Sequence, residues 1–336
     1  MVSIDEVARA AGVSTATVSR ALSGRGQVSE GARSRVLDAA AALGYVVSSS
    51  ASSLASGRTR NIGVLLPVVD RWYFSTVLAG IASGLQRAGY DITLYALTED
   101  AGERATVFET FLRRRRVDAV IAIAISLDAT EVERVVELGL PVVALGAAHP
   151  RLPSLSVDDV AVARVATGHL TALGHRDIAH IGTTPEYAVD DAHIPTQRRR
   201  GFEQALADAG IPPASARHEY GDFTIEGGHR AAMRLLRGER PPTAIFAASD
   251  EMAIGALIAA RDLRLDVPGD LSVVGVDGHD LSGFFGLTTI DQFPHGQGLR
   301  AAAAVLAELE ATVPVVPLAA LPFELVVRAS TAPPTT

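Results

Sequence analysis

The sequence has no cysteine, no lysine, few aromatic residues and no long apolar run. Without cysteine there is no disulfide framework and no thiolate metal site, and nothing indicates secretion. All 30 basic residues are arginine, which we ascribe to coding bias. No apolar run reaches the ~20 residues of a membrane span, and no basic segment followed by an apolar stretch opens the chain. We therefore expect a soluble, cytoplasmic protein without membrane association.

Motifs of catalysis and cofactor binding are also missing. There is no Gly-x-Gly-x-x-Gly after the first expected strand, no P-loop and no Gly-x-Ser-x-Gly. His169, His175 and His180 are too irregularly spaced for a helical zinc pair. We therefore predict a protein that is not an enzyme, with no catalytic residues, no metal and no cofactor.

Charge is distributed unevenly along the 336 residues, which are enough for two or three domains. Residues 1–60 carry seven arginines against four acidic side chains, whereas the remaining chain carries 23 against 34. A basic head on an acidic body is typical of a polyanion-binding domain joined to a domain with another role.

The head contains the spacing of three short helices. Ser3 and Glu6 form a capping-box pattern, and the residues after Ser3 place apolar side chains at one helical face. Gly12 ends this helix and Ser14 is placed to cap a second, while Ser29 is placed to cap a third. A helix, a glycine-containing turn and a second helix predict a helix-turn-helix unit.

The exposed side of the second helix carries side chains that suit a DNA major groove. Arginine pairs bidentately with guanine, and alanine or threonine packs on a thymine methyl group. Thr15, Ala16 and Arg20 supply these groups. The alternative is that the turn is only a structural feature, since any three-helix bundle contains one.

The run from Ile4 to Tyr45 resembles the amino-terminal DNA-binding domain of the lactose repressor and galactose repressor family. The phrases that carry the resemblance are Asp5-Glu6-Val7-Ala8, Ala11-Gly12-Val13-Ser14, Thr17-Val18-Ser19-Arg20 and Leu43-Gly44-Tyr45. It implies a DNA-binding domain over residues 1–45. It also implies DNA contacts from Ser14, Thr15, Ala16, Thr17, Ser19, Arg20 and Gln27.

A serine-rich segment, 46–60, follows the head and would on composition alone be a tether. The resemblance implies instead a hinge helix that orders on DNA, with Leu54 as a wedge between base steps in the minor groove. Ser52 and Ala55 stand where basic residues are common in the family, which predicts a weaker hinge contact.

From residue 61 onward, short apolar strands alternate with helices, which predicts parallel sheets covered by helices in two successive lobes. One predicted helix runs from Arg104 to Arg116. We interpret its terminal run Arg113–Arg116 as a solvated face that interacts favourably with the helix C-terminus, and not as a nucleic-acid site.

Phrases throughout the body match the regulatory domain of the same family, among them Arg115-Arg116-Val117-Asp118, Leu173-Gly174-His175-Arg176 and Ser272-Val273-Val274-Gly275-Val276-Asp277. The resemblance implies an all-α helix-turn-helix head plus an α/β two-lobed, periplasmic-binding-protein-like (type I) domain over 61–330. The expected lobes, joined by three crossovers, are 61–157 with 290–321 and 158–289 with 322–330, and 331–336 is a tail.

The cleft between the lobes is the expected effector site. The resemblance implies that Arg198 grips hydroxyls or carboxylates, that Asp277 accepts from sugar hydroxyls and that Phe223 stacks on a ring. The alternatives are a solvated arginine, a carboxylate that caps a turn and a core aromatic. Further effector contacts are expected from Asp70, Tyr73, Phe74, His149, Ser249 and Asp250.

Together these features predict a transcriptional regulator, a repressor, that binds a palindromic operator as a homodimer under the control of a carbohydrate effector. A purine or nucleoside effector is the alternative within this class. A ligand sensor with weak DNA binding and an enzyme are the competing classes.

Overall fold

The computed structural model describes residues 2–23, 27–45, 57–97, 100–146, 149, 151–183, 193–310 and 319–335. The chain divides into two compact units, Met1–Arg60 and Asn61–Thr336, which are described separately below. Most of the expected hinge, including Leu54, lies outside the described residues, so the expected wedge stays a prediction. No helix in the described part of the chain is long and apolar enough to cross a membrane.

The described residues of the head form three helices: α1 (Ile4–Ala11), α2 (Thr15–Ser23) and α3 (Glu30–Leu43). The predicted capping box is present, because Ser3 Oγ accepts from the Glu6 backbone at 3.3 Å and the Glu6 carboxylate accepts from the Ser3 backbone at 2.7 Å. Gly12 ends α1 in the left-handed conformation with φ of 65°, which glycine adopts without a steric penalty. Val7, Val18 and Val36, one from each helix, are fully buried and form the centre of a small core.

Six strands form the sheet of the first lobe, in the order β11-β5-β4-β3-β1-β2, with every pair parallel. The strands are β1 (Asn61–Leu66), β2 (Asp91–Ala96), β3 (Ala119–Ile123), β4 (Val142–Leu145), β5 (Ser154–Ser156) and β11 (Ala319–Ala320). The apolar runs of β3 and β4 are buried along their whole length, as expected of central parallel strands. The short strand β5 has no such run and was not predicted.

The helices of this lobe are α4 (Trp72–Arg87), α5 (Ala101–Thr106) and α6 (Ala129–Glu137). The prediction of one helix from Arg104 to Arg116 is wrong. The segment begins as α5, capped by the Asp100 side chain, and continues as a π-helical turn over Val107–Phe111 and a 3₁₀ turn over Leu112–Arg114. Burying Phe108 and Leu112 is favoured here over continuing the regular α-helical hydrogen bonds. Arg115 ends the segment in a left-handed conformation.

The sheet of the second lobe has the order β12-β10-β9-β8-β6-β7, in which only β12 is antiparallel to its neighbour. Its strands are β6 (Ile178–Gly182), β7 (His218–Tyr220), β8 (Ala244–Ala247), β9 (Ser272–Asp277), β10 (Thr288–Asp291) and β12 (Glu324–Val326). The helices are α7 (Asp159–Ala172), α8 (Ile194–Asp208), α9 (Ile225–Leu236) and α10 (Asp250–Asp262).

The end of the chain is shared between the lobes. Strand β10 lies wholly in the second sheet, so the lobe boundary expected at 290 is displaced to the residues after Asp291. Helix α11 (Pro294–Glu310) returns to the first lobe, where it packs on α4 so closely that a Cβ at Gly80 would overlap the His295 carbonyl group. Strands β11 and β12 then complete the first and second sheets in turn.

Candidate functional site

Helix α2 of the head presents an exposed polar side. Ser14 Oγ accepts from the Thr17 backbone at 3.2 Å and bonds the Thr17 hydroxyl at 2.9 Å, which fixes the start of the helix. Thr15, Ala16 and Arg20 are exposed, and Arg20 Nε donates to the Ala16 carbonyl at 3.1 Å. The residue types that suit a major groove therefore share one open side of α2.

The opposite side of α2 is held rigidly against the other helices. Arg33 of α3 donates to the Ala21 carbonyl of α2 at 3.0 Å, and Arg35 joins α3 to α1 by donating to the Ala11 carbonyl at 3.2 Å. Of the remaining residues expected to contact DNA, Thr17 and Ser19 are half-buried and Gln27 is exposed. Because α2 is fixed by both packing and hydrogen bonds, its exposed side chains start from a defined position.

In the body, a cavity of about 500 Å³ lies between the two lobes. It is lined where strands of both sheets end: Pro67 follows β1, Ala124 follows β3, Thr183 follows β6 and Asp277 ends β9. Ligands of open α/β sheets bind in a crevice at the carboxyl ends of the strands.

The charged centre of the cavity is the guanidinium of Arg198, on α8. It is buried, and its Nε donates to Asp159 Oδ1 at 2.7 Å while its Nη1 donates to the Ala248 carbonyl at 2.5 Å. Asp277 Oδ1 lies 3.7 Å from the same Nη1. Arg198 is thus a buried cation clamped between two buried carboxylates.

Burial dominates the titration of this cluster. It raises the pKa of Asp277 well above its ordinary value, and although the Arg198 charge lowers that pKa, Asp250, Glu251 and Asp159 raise it further. Burial also raises the pKa of Asp159, with Arg198 acting in the opposite direction. The cavity therefore contains carboxyl groups that are costly to ionise and that gain from any additional hydrogen-bond donor.

A chain of hydrogen bonds extends from this cluster into the first lobe. Gln292 Nε2 donates to Asp277 Oδ1 at 2.8 Å, and Gln297 Nε2 donates to the Gln292 carbonyl at 2.8 Å. The Tyr73 hydroxyl donates to Gln297 Oε1 at 2.8 Å. Burial, followed by the charges of Asp277 and Asp159, raises the pKa of Tyr73, so this phenol is neutral.

Six of the residues expected at the effector site line the cavity: Tyr73, Phe74, Arg198, Phe223, Ser249 and Asp277. Ser249 also caps α10 by accepting from the Met252 backbone at 3.3 Å. Phe223 is held in the left-handed region, with φ of 53°. The cavity thus combines an aromatic lining with the polar chain.

Three expected contacts lie outside this lining. Asp70 is exposed on the loop after β1, and His149 Nδ1 accepts from the Arg151 backbone at 3.1 Å within its own loop. Asp250 is completely buried behind the cavity. These three side chains are solvated or engaged elsewhere in this structure, and their contact with an effector stays a prediction.

Asp250 instead anchors the loop that follows β9. Its Oδ1 accepts from the Thr289 hydroxyl at 2.7 Å, and its Oδ2 accepts from the Ser282 hydroxyl and the His279 backbone, both at 2.8 Å. Gly275 leaves the space for this carboxylate, since a Cβ there would overlap it.

Sequence reasoning missed several residues that line the cavity, among them Asp159, Glu251, Gln292 and Gln297. Position relative to the sheet could have indicated two of them, because Gln292 directly follows β10 and Asp159 opens the helix that follows β5. The others lie near the starts of helices, where polar residues are common, and no sequence signal marks them.

A further contact joins the two lobes at the rim. The indole of Trp72, at the start of α4, stacks on His279 with 4.5 Å between ring centroids. Its Nε1 donates to Asp280 Oδ2 at 3.1 Å. Trp72 is the only tryptophan of the chain, and its environment therefore reports on the distance between the lobes.

Comparison with known proteins agrees with both units. A profile described as bacterial regulatory proteins, lacI family, matches residues 3–48, and one described as a periplasmic binding protein-like domain matches residues 167–331. The chain is 32% identical over 333 residues to the HTH-type transcriptional repressor CytR of Escherichia coli strain K12, which covers 97% of this chain and 95% of the relative.

Solved structures give the same result. The Lac repressor dimer bound to operator and the anti-inducer ONPF matches with a TM-score of 0.86 and 28% identity, covering 98% of this chain and 99% of that chain. A transcriptional regulator CelR–cellobiose complex matches with a TM-score of 0.68 and 27% identity, covering 98% of this chain and 100% of that chain. This chain therefore belongs to the LacI family of bacterial regulatory proteins.

Proposed function

We propose that this protein is a transcriptional repressor whose operator affinity is controlled by a neutral carbohydrate bound in the cavity of the body. The observation that carries the effector part is the polar chain from Asp159 through Arg198, Asp277 and Gln292 to Gln297, which borders an aromatic-lined cavity. Its volume of about 500 Å³ falls in the range of roughly 300–1,000 Å³ usual for small-molecule sites.

The charge of the lining favours a ligand without negative charge. Four carboxyl groups, those of Asp159, Asp222, Glu251 and Asp277, line the cavity together with only two arginines, Arg71 and Arg198, among the described residues. Arg198 is already paired with Asp159. A phosphorylated ligand would meet no net positive charge here, whereas hydroxyl groups can donate to the carboxylates and accept from the guanidinium.

A nucleoside is the second candidate effector. The glutamine amide groups and Asp277 could pair with polar edges of a base, and Phe223 could stack on its ring. Differential scanning fluorimetry with neutral monosaccharides and disaccharides, nucleosides and sugar phosphates separates these classes, because a ligand of the native state raises the melting temperature. The proposal expects a shift with a neutral sugar that is lost in Asp277→Asn and retained in Arg199→Gln, an exposed position on α8 next to Arg198. Shifts only with sugar phosphates would contradict it.

DNA binding is tested by fluorescence anisotropy with fragments of the protein's own promoter. Replacing Arg20, exposed beside Ala16 on α2, with Ala should cost about 1–3 kcal/mol and relax specificity at one position of each half-site. Arg9→Ala, an exposed arginine on α1, is the matched control and should leave the base preference unchanged. Absence of sequence-selective, salt-sensitive binding at every effector condition would contradict the proposed function.

A homodimer on a palindromic operator is part of the proposal. It is supported by an apolar surface on the loop after β9, where Phe284 is 88% exposed beside the exposed side chains of Leu281 and Phe285. An exposed cluster of this kind marks a surface for protein association. Sedimentation of wild type and Phe284→Asp checks this: a dimer and a monomer are expected, respectively, and a wild-type monomer on DNA would contradict it.

A further inference from the structure

Four consecutive exposed arginines, Arg113–Arg116, form a basic surface on the first lobe, in a body that is otherwise acidic. The carboxylate on the same segment, Glu109, pairs with Arg134 at 2.6 Å. Within the described part of the chain, none of the four arginines forms an ion pair with a carboxylate. The positive charge of the run is therefore not paired with a carboxylate in the part of the protein that the structure describes.

This surface is not the regular helix end that the sequence predicts. The segment ends in a 3₁₀ turn, and Arg115 adopts φ of 48°, so successive side chains do not follow one helical face. Arg114 lies over the ring of Phe111, 5.4 Å from its centroid, and Phe111 stacks on Tyr95 at 6.0 Å. The Phe111 ring, itself stacked on Tyr95, thus supports the Arg114 guanidinium without neutralising its charge.

The arginines also lie where the chain enters the body. Asn61 is the first residue of β1 and directly follows the segment that joins the head to the body. Its side-chain Nδ2 donates to the Arg116 carbonyl at 2.9 Å. The basic surface is therefore fixed at the attachment point of the DNA-binding head.

We propose that Arg113–Arg116 bind the phosphate backbone of DNA flanking the sequence read by the head. This inference rests on the proposed function, because it needs a head that holds DNA. The surface has the features of a backbone contact: an array of guanidinium groups, no carboxylate partner and no concave pocket for a base. Such a contact adds affinity without adding sequence information.

Salt dependence measures this contact directly. Each phosphate neutralised contributes about 0.9 to the slope of log K against log salt. The double variant Arg113→Gln, Arg115→Gln should remove two phosphate contacts per protomer. The factor by which DNA affinity falls between 50 and 200 mM salt should then be roughly tenfold smaller for each protomer in the complex. Both side chains are exposed, so the fold should not change.

The experiment compares wild type, this double variant and the control Arg237→Gln with Arg240→Gln, which removes the same charge from an exposed loop of the second lobe. Each is titrated against a duplex with long flanks and one trimmed to the operator. The inference expects a shallower salt slope only for the Arg113 and Arg115 variant, and only on the flanked duplex.

Other outcomes overturn the inference. An unchanged slope on the flanked duplex, or the same decrease in the control variant, means that the run is a solvated face or acts only through net charge. A change in sedimentation of the double variant without a change in slope assigns the surface to contact between copies of the chain. If wild type binds neither duplex, the proposed function itself fails; if wild type binds normally, only this inference is at stake.

Discussion

Two buried carboxylates of the second lobe, Asp250 and Asp277, are alike in burial and in the direction of their pKa shift but differ in their partners. Asp250 accepts from two hydroxyl groups, those of Thr289 and Ser282, and from the backbone of the loop after β9. Among the described residues, Asp277 accepts at hydrogen-bond distance from Gln292 alone, and it faces the cavity.

The difference distinguishes a structural carboxylate from one available to a ligand. A carboxylate has about four acceptor positions, and internal donors fill most of those of Asp250. Asp277 retains capacity toward the cavity, where a hydroxyl group of a ligand could complete it. Both residues match the same family pattern in sequence, so the number of internal donors, and not the residue type, separates the two roles.

The largest expected effect comes from removing the buried cation that pairs with Asp159 and lies beside Asp277. Arg198→Met would leave the buried Asp159 and Asp277 without a counter-charge, which should cost about 3–5 kcal/mol of unfolding free energy at neutral pH. Chemical denaturation measures this, with Arg199→Met as the exposed control. A loss below about 1 kcal/mol would show that the carboxyl groups are neutral or hydrated, contrary to our view of a clamped cation.

Replacing each of the two carboxylates, Asp250 and Asp277, with asparagine should have opposite effects on stability and on effector binding. Asp250→Asn introduces an amide nitrogen that faces donors of the anchored loop, which should cost about 1–3 kcal/mol of stability. Asp277→Asn should change stability by less than about 1 kcal/mol, yet weaken effector binding at least tenfold.

Denaturation and calorimetric titration of both variants provide the test of this pair. Equal losses of stability, or an effector affinity lowered equally by the two substitutions, would abolish the distinction between the two carboxylates.

A third buried group, His180 on β6, contrasts with the two carboxyl groups because burial lowers its pKa instead of raising it. Burial, with the charges of His218 and Arg199, lowers the pKa of His180 from 6.5 to about 3. Between these values the unfolded state binds a proton that the folded state does not, so stability falls as the pH falls. His180 should contribute about 2 kcal/mol to the loss between pH 6.5 and pH 5, and His180→Phe should make the loss smaller by about that amount; the buried or half-buried His169, His175, His218 and His279, whose pKa values burial also lowers, account for the rest. Denaturation curves at several pH values measure it; the same slope in the variant would contradict it.

The smallest expected effect concerns the rim of the cavity. Removing the carboxylate that accepts from the Trp72 indole, by Asp280→Asn, should cost less than about 1 kcal/mol of stability because the pair is partly exposed. It should nevertheless shift the emission of Trp72, and effector binding should shift the emission of the wild type. Emission spectra check both, with Asp262→Asn as a control remote from the rim. An unchanged Asp280→Asn spectrum would mean that the indole does not sense the contact between the lobes.

The sequence predicts the parts of this molecule that depend on local chemistry. The capping box at Ser3, the glycine end of α1 and the apolar runs of the central strands are short-range patterns with few structural alternatives. The alternation of strands and helices predicts two lobes, and the match to a known family supplies their bounds and crossovers. Arg198 and Asp277 were predicted from the family pattern and do lie at the cavity.

The remaining features depend on packing over long distances. Nothing near Asp250 in sequence reveals that Thr289 and Ser282 saturate it, because these partners come from other elements. The polar chain through Gln292 and Gln297 exists only because α11 crosses back to pack on α4. The broken helix before Arg115 likewise reflects the burial of Phe108, which local propensity does not encode.

Anisotropy of a labelled operator fragment, titrated with protein in the absence and presence of a saturating effector, tests the central claim that the cavity controls the head. We expect the operator Kd of the wild type to change at least tenfold on addition of effector, and that of Asp277→Asn to remain at the effector-free value while DNA binding itself persists. An effector that binds the body yet leaves the operator Kd of the wild type unchanged would contradict the account.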